Sequence, residues 1–367
     1  MRILILSRYD QLGASSRVRM LQYIPWFEKM GAEVTVSPLF DDKYLRLLYK
    51  SKNRFLNRFL NLGKIITYYF KRLRSVLFCR NYDVVWIEKE IFPYCPGLCE
   101  LILSMRGIKY VVDYDDAIFH NYDLASSFIT RFLLKNKLKP LLLNSSAVTA
   151  GSQYLANLSY QSGAKNVYLC PTVVDINRYM LKHEPSDETI RIGWIGSPST
   201  SPYLKILAEP LRKVALVKKI ILVTIGAPKL SFSGVLVEQH DWTLETEVSL
   251  LNSIHIGVMP LFDSPWERGK CGYKLIQYMA LGKPVIASPV GANHDIVTPD
   301  VGYLADSDAS WEDALIKLIE KPTLRGQFGK AARTKVEQKY SLQVTQPTIF
   351  QLFEDLTNKK SDLLCVD

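Results

Sequence analysis

Short apolar runs recur along the chain and alternate with longer segments of helical spacing. RILILS (2–7) reads as a buried strand, and DQLGASSR after it carries turn chemistry. VRMLQYIPWFEKMG has the period of a helix that stops at Gly31, a residue suited to a C-cap. AEVTVSPLF (32–40), DVVWIEKE (83–90), KYVVDYDD (109–116) and SAVTAGS (146–152) are further strands with helical stretches between them. The pattern then restarts with TIRIGWIGS (189–197), IILVTIG (220–226), VEQHDW (237–242), IHIGVMPL (254–261) and KPVIAS (283–288), and GYKLIQYMALG (272–282) is one of its helices. Strands separated by helices predict a parallel, doubly wound α/β sheet. Two such series predict two domains with a cleft at the carboxyl ends of their strands, where ligands of such folds bind. The join falls in CPTVVDINRYMLKHEPSDET (170–189), a polar stretch with two prolines.

Composition adds little to that picture, whereas charge adds a good deal. At 367 residues and 48% apolar the chain suits two globular domains. MRILILS lacks the basic start and cleavage site of a signal peptide, and no window nears the roughly 20 apolar residues that span a bilayer. The six cysteines lack the paired spacing of a zinc site or disulfide framework, which suggests reduced thiols and a cytoplasmic protein. Met1 to Thr172 holds 24 basic and 13 acidic residues, so that the whole net charge of +10 lies in the first half. Lys43 to Tyr82 contains 11 basic residues, no acidic one and nine aromatic rings. A basic, aromatic-rich helical stretch suits an anionic membrane surface, with RFLLKNKLK (131–139) extending it. No nucleic-acid motif accompanies the patch, so no nucleic-acid partner is expected.

Two loops in the second half have the chemistry of anion sites. In IGWIGSPSTSPYLKIL, Gly196 and Ser197 lead a small, hydroxylated turn into a helix, a place where free backbone N–H groups point at a ligand. In PWERGKCGYKLIQYMA, Lys270 and Lys274 stand four apart and can share a face. Ordinary N-caps and solvated lysines are the bland alternative for each.

FDSPWERGKCGYKLIQYMALGKPVIASPVGANHDIV (262–297) resembles the donor-binding region of the retaining family-four glycosyltransferases of the GT-B type. MALGKPVIASPVG (279–291) carries the closest match, and CPTVVDINRY resembles the family's interdomain segment with Val174, Asp175 and Tyr179 in register. The resemblance implies a GT-B fold, two Rossmann-like doubly wound domains facing a central cleft. It implies an N-terminal acceptor domain (1–172), a linker (173–188), a nucleotide-sugar domain (189–340) and a C-terminal helix (341–367) packing back toward the first domain. The chain departs from the family where it matters for donor binding. The family's first Glu, which contacts the sugar, falls on Gly269, and its second, which holds the ribose, falls on Gln277. Ser197 stands where the family has an arginine for the diphosphate, so neutralisation falls to Lys270 and Lys274. Glu267 can approach the sugar instead, Gly291 and Asp295 belong to the loop that meets sugar or diphosphate, and Trp242 and Thr243 end a strand where the family recognises the base. For Trp242, core packing is the simpler reading.

In the first half, Gly13, Ser15 and Arg17 occupy the loop that in the family faces donor phosphate or acceptor. VVDYDDAIFHNYD (111–123) crowds carboxylates at a strand end, which a core would not tolerate unless they were solvated, paired or functional. The resemblance makes Asp115, Asp116 and His120 candidates for orienting or deprotonating an acceptor hydroxyl, with Glu88 and Glu90 as rivals. The expected activity is transfer of a sugar from a nucleoside diphosphate sugar to a glycan or lipid-linked acceptor in surface polysaccharide synthesis. Retention of configuration, no metal or other cofactor, and a site at the inner face of the membrane are expected with it. A non-catalytic nucleotide- or glycan-binding protein on the same scaffold, or a basic nucleic-acid-binding protein, stands as the alternative.

Overall fold

The first sheet is built from six strands that begin with β1 (Arg2–Leu6), β2 (Glu33–Val36), β3 (Val84–Glu88) and β4 (Tyr110–Tyr114) and end with β5 (Ala147–Ala150) and β6 (Val167–Leu169). The computed structural model describes residues 1–50, 54–182, 186 and 188–358. All pairings are parallel and the order is β2-β1-β3-β4-β5-β6. A second sheet follows from β7 (Ile190–Ile195), β8 (Ile220–Ile225), β9 (Leu236–His240), β10 (Ile256–Met259), β11 (Val285–Ala287) and β12 (Gly302–Leu304). It is also wholly parallel, in the order β12-β11-β10-β7-β8-β9. Parallel sheets need both faces covered, and the central strands β3, β4, β5 and β10 are buried along their whole length.

The chain forms two units, Met1–Thr172 with Thr345–Asp367, and Val173–Val344. In the first unit Trp86 of β3 is the hub of an aromatic cluster. Its ring lies 5.8 Å from Tyr23, 6.1 Å from Phe27 and 5.2 Å from Phe353. Phe353 comes from the helix Leu342–Asn358, which Thr345 ties further by a 2.9 Å hydroxyl contact with Tyr23. In the second unit the helix Tyr273–Ala280 lies so close to β10 that a Cβ on Gly257 would fall 2.3 Å from the Tyr278 ring. The Tyr278 hydroxyl accepts the Ile195 N–H at 2.9 Å, fixing this helix to the carboxyl end of β7.

The stretch VRMLQYIPWFEKMG is not one helix. It divides into Ala14–Arg19, a 3₁₀ turn at Leu21–Tyr23, and Ile24–Lys29. Pro25 lacks an N–H and suits only a first turn, so a new helix begins there. Gly31 takes φ +83°, the left-handed conformation that ends the segment. No described helix is long and apolar enough to cross a membrane. Among the described residues, Cys79, Cys95, Cys170 and Cys271 form no disulfide.

The basic segment forms the helices Asp42–Lys50 and Arg54–Leu77, though side chains 48–62 lie outside the described residues, Tyr49, Phe55 and Phe59 among them. Part of it is structural. Arg72 is 1% exposed and donates to the Ser7 carbonyl, and burial pulls its guanidinium down to about 9 against the raising effect of Glu88. Tyr68 and Tyr69 donate to Asp41 and to the Pro93 carbonyl at 2.7 and 2.8 Å. Phe70 and Phe78 remain exposed.

Phe353→Ala is expected to cost about 3–5 kcal/mol in denaturant unfolding, because the cavity it leaves sits against Trp86 and Phe27. Phe70→Ala, at an exposed position, should stay within about 0.5 kcal/mol.

Candidate functional site

The carboxyl ends of β7 and β10 and the start of the helix Tyr273–Ala280 bring several of the expected donor residues together. Lys274 rises from the first turn of that helix and lays its Nζ 4.1 Å from the centre of the buried Trp194 ring. The same Nζ reaches Thr200 Oγ1 at 3.5 Å, and no described carboxylate pairs with it. Gly196 makes the approach possible, since a Cβ there would lie 2.6 Å from Lys274 Nζ and 2.5 Å from the Trp194 ring. Burial, and after it the charge of Lys270, brings the Lys274 ammonium down to about 7. Lys270 itself lies 6.0 Å over the Tyr203 ring.

The neighbouring loops are shaped to the same end of the sheet. Ser197 closes a hydroxyl turn in which its N–H donates to Thr200 Oγ1 at 3.2 Å and its Oγ lies 2.8 Å from Ser199 Oγ. Gly291 has φ +54°, and a Cβ on it would sit 2.4 Å from the Arg268 carbonyl oxygen. Asp295 is exposed in the short helix Asn293–Ile296, and its carbonyl accepts from Lys335 at 2.9 Å.

Several residues of this region make internal bonds. Glu267 is buried and accepts from the hydroxyls of Tyr203 and Ser264. Gln277 is 2% exposed and donates from Nε2 to the Tyr179 hydroxyl at 2.9 Å. Tyr179 donates in turn to Glu247 at 2.9 Å, and Trp242 Nε1 donates to the other Glu247 oxygen at 2.7 Å. Trp242 is half-buried against the core of the unit. Gly269, in the place of the family's first Glu, is buried and donates its N–H to the Trp266 carbonyl at 3.2 Å.

The first unit gathers a second set. Ser15 donates to Asp115 Oδ2 at 2.5 Å, and Lys89 Nζ bridges Asp115 at 2.8 Å and Asp116 at 3.1 Å. Lys89 follows β3 with φ +64°, a left-handed conformation that costs a non-glycine residue about 1–3 kcal/mol unless its surroundings hold it. Burial alone would lower the Lys89 ammonium, but Asp115, Asp116 and Glu88 outweigh it and raise it. Burial works against ionised Asp115, and Lys89 and Arg19 overcome it to hold that carboxyl below its usual range. Glu88 is raised, by burial above all; its Oε2 accepts from Ser16 at 2.6 Å and from the Arg8 N–H at 2.7 Å.

The other candidates are bonded to neighbours of the same unit. Glu90 is buried against Lys137, the Tyr122 hydroxyl at 2.6 Å and Arg8 at 3.3 Å. His120 has Nδ1 3.0 Å from Asp123 and Nε2 2.8 Å from the Tyr154 hydroxyl. Arg17 is buried and donates to the Gln11 carbonyl at 2.9 Å, while Gly13 packs its backbone against Tyr9. Asp113 meets Arg19 through both oxygens, at 2.6 and 2.9 Å, and accepts from Thr149 at 2.6 Å. Sequence reasoning passed over Lys89, Trp194 and Tyr203. Nothing in the chain signals Lys89, whose role depends on its backbone angle. Trp194 and Tyr203 could have been found as aromatics flanking the glycine–serine turn.

Asp113→Asn should cost about 3–5 kcal/mol in denaturant unfolding, because it leaves Arg19 as a buried charge without its partner carboxylate.

Residues 190–321 match the family model described as glycosyl transferases group 1. No curated protein sequence matches the chain. Among solved structures, sucrose-phosphate synthase from Thermosynechococcus elongatus is similar with a TM-score of 0.69 and 15% identity, over 98% of this chain and 100% of that one. Anabaena HepE in complex with UDP and glucose gives 0.68 and 15%, over 97% and 100%. An alpha-glucosyltransferase in complex with UDP and a 13-mer DNA gives 0.61 and 12%, over 96% and 99%. At such identities the likeness is one of fold, and the fold is GT-B, with two parallel six-stranded sheets flanked by helices. Residues 190–321 form a glycosyl transferases group 1 domain, and by that domain the chain is a glycosyltransferase.

Proposed function

We propose that the second unit binds a nucleoside diphosphate sugar through a lysine-based diphosphate site, and that the chain passes the sugar to a glycan or lipid-linked acceptor with retention of configuration. The observation that carries this reading is the pair of cations, Lys274 and Lys270, placed at the strand ends with no carboxylate partner among the described residues. Two like charges held together in a partly buried place repel each other, and an anion relieves both the repulsion and the desolvation. A diphosphate has the charge and reach to meet the two ammonium groups together with the N–H and hydroxyl donors of the Gly196–Ser201 turn. UDP is the first nucleotide to test, since HepE is described in complex with UDP and UDP-glucose.

When the acceptor oxygen attacks the anomeric carbon and the bond to the diphosphate breaks, negative charge grows on the β-phosphate. Cations already in place stabilise that charge without reorganising. Gln277, buried against Tyr179, stands without charge where the family has its ribose carboxylate, and Gly291 and Asp295 line the sugar side. In the first unit Asp116, the more exposed of the two carboxylates on Lys89, orients the acceptor hydroxyl. Asp115, Ser15 and Lys89 hold it in place. Glu267 and His120, bound to their own neighbours, position the loops they belong to. Synthesis of a surface polysaccharide at the inner face of the membrane fits the unbalanced charge of the first half, with 43–82 as one membrane-facing element.

Calorimetry should find UDP binding that weakens as pH rises. Lys274 is charged below about 7 in the free protein and neutral above it, and bound diphosphate favours the charged form. The dissociation constant should therefore rise from pH 7 to 9, approaching tenfold per pH unit at the steepest, and Lys274→Gln should bind weakly with a flatter profile. Absence of binding by any nucleoside diphosphate would leave only the non-catalytic alternative. UDP binding with the same pH profile in Lys274→Gln would remove Lys274 from the site.

A further inference from the structure

The helix Phe128–Leu134 turns one side chain, Leu134, into the protein and shows the rest of its apolar residues to solvent. Phe128, Ile129, Phe132 and Leu133 are 70%, 68%, 68% and 65% exposed, and Leu124 just before the helix is 56% exposed. Their spacing of one and four residues places them side by side, and the rings of Phe128 and Phe132 stack with centroids 6.1 Å apart. Four large apolar side chains on a single short helix form an unusually apolar patch for a soluble surface. None of them belongs to the donor site or to the carboxylate cluster.

Beside this face lies a cavity of about 130 Å³ lined by Phe119, Tyr122, Lys135, Asn136, Lys139 and Gln161 among others, with no carboxylate in its wall. Lys135 follows the apolar helix directly and Lys139 lies one turn further on, in the helix Leu138–Leu143. Both lysines are exposed, as is Arg131 on the apolar helix itself. Glu90, which accepts from the cavity-lining Tyr122, is already matched by the buried Lys137. The cavity therefore offers cations and amide donors to an anion, next to a surface that gains by leaving water.

We infer that the helix Phe128–Leu134 enters the interface of an anionic phospholipid bilayer and that the Lys135–Lys139 cavity receives a lipid headgroup phosphate. An interfacial helix needs an apolar face set against basic residues at headgroup height, and this segment has both. Basic residues near an anionic surface bind it in a salt-sensitive way, and a second cationic element on 43–82 adds to the pull. The inference deepens the reading of a transferase acting on lipid-linked acceptors and rests on it. It also assigns the insertion to a segment distinct from the basic helices.

Co-sedimentation of the full chain with vesicles of phosphatidylcholine alone, and of phosphatidylcholine with phosphatidylglycerol, tests it. The parent protein should bind the anionic vesicles and lose binding as salt rises. The double variant Phe128→Ser, Phe132→Ser should bind roughly tenfold more weakly, and Lys135→Ala with Lys139→Ala about tenfold more weakly with a shallower salt dependence. UDP binding should be unchanged in both. Phe132→Trp supplies a readout that does not depend on a disruptive change: its added emission should be quenched by lipids brominated along the acyl chain. Unquenched emission, or vesicle binding that ignores the Phe128 and Phe132 changes, would overturn the inference. So would association of two copies that the Ser variant abolishes, or retention on DNA in place of vesicles. Loss of UDP binding by the parent chain would instead count against the transferase reading, whatever the vesicles show.

Discussion

A cation held over an aromatic ring, with no carboxylate among the described residues to answer it, is the constraint around which the second unit is arranged. Lys274 reaches Trp194 because position 196 has no side chain, and Gly226 is glycine because a Cβ there would strike the Gly196 carbonyl at 2.3 Å. At Gly272 the backbone turns left-handed with φ +66°, and a Cβ would fall 2.2 Å from Ile296, so the helix that carries Lys274 can start only there. Tyr278, one turn further along, anchors that helix to β7. The ammonium group is thus placed by covalent geometry and packing, not by attraction to a partner. A ring face offsets part of the desolvation of a cation, by about 0.5–2 kcal/mol, and leaves the rest to a ligand.

The first unit solves the opposite problem. Its strand ends crowd buried and half-buried carboxylates together, and among the described residues all of these but Glu88 have a charged partner. Asp113 has Arg19, Asp115 and Asp116 share Lys89, and Glu90 has Lys137 and Arg8. Lys89 accepts a left-handed backbone to make its bridge, the kind of local cost that persists where surrounding structure determines it. Among the described residues no cationic side chain lies within hydrogen-bond range of Glu88, and its carboxyl is raised by burial.

Much of the fold was legible in the chain because parallel strands buried on both faces read as unbroken apolar runs. RILIL, VVWIE, YVVDY, IRIGWI and IILVTI all form strands within the segments that the pattern marked. Strands β6 and β12 escaped notice because they are short edge strands with partly exposed positions, whereas the equally short β11 is wholly buried and reads as an apolar run. The break at Pro25 was visible, but the apolar spacing around it concealed it. The donor loops were legible as glycine, serine and lysine at a strand-to-helix turn, whereas the ring beneath Lys274 is a tertiary fact. Arg72 illustrates the limit of charge counting, because a basic run on a helix includes whichever residue faces inward. The exposed face at Phe128–Leu133 is a further case, for apolar periodicity does not tell an inward face from an outward one.

The ionisation of Lys274 tests the central claim most directly. In protein labelled with ¹⁵N at lysine Nζ, the resonance that disappears in Lys274→Gln should titrate near pH 7 in the free chain, and UDP should move its midpoint upward. A midpoint near the ordinary lysine value of about 10.4, or one that UDP leaves unchanged, would contradict a donor site built on this ammonium group.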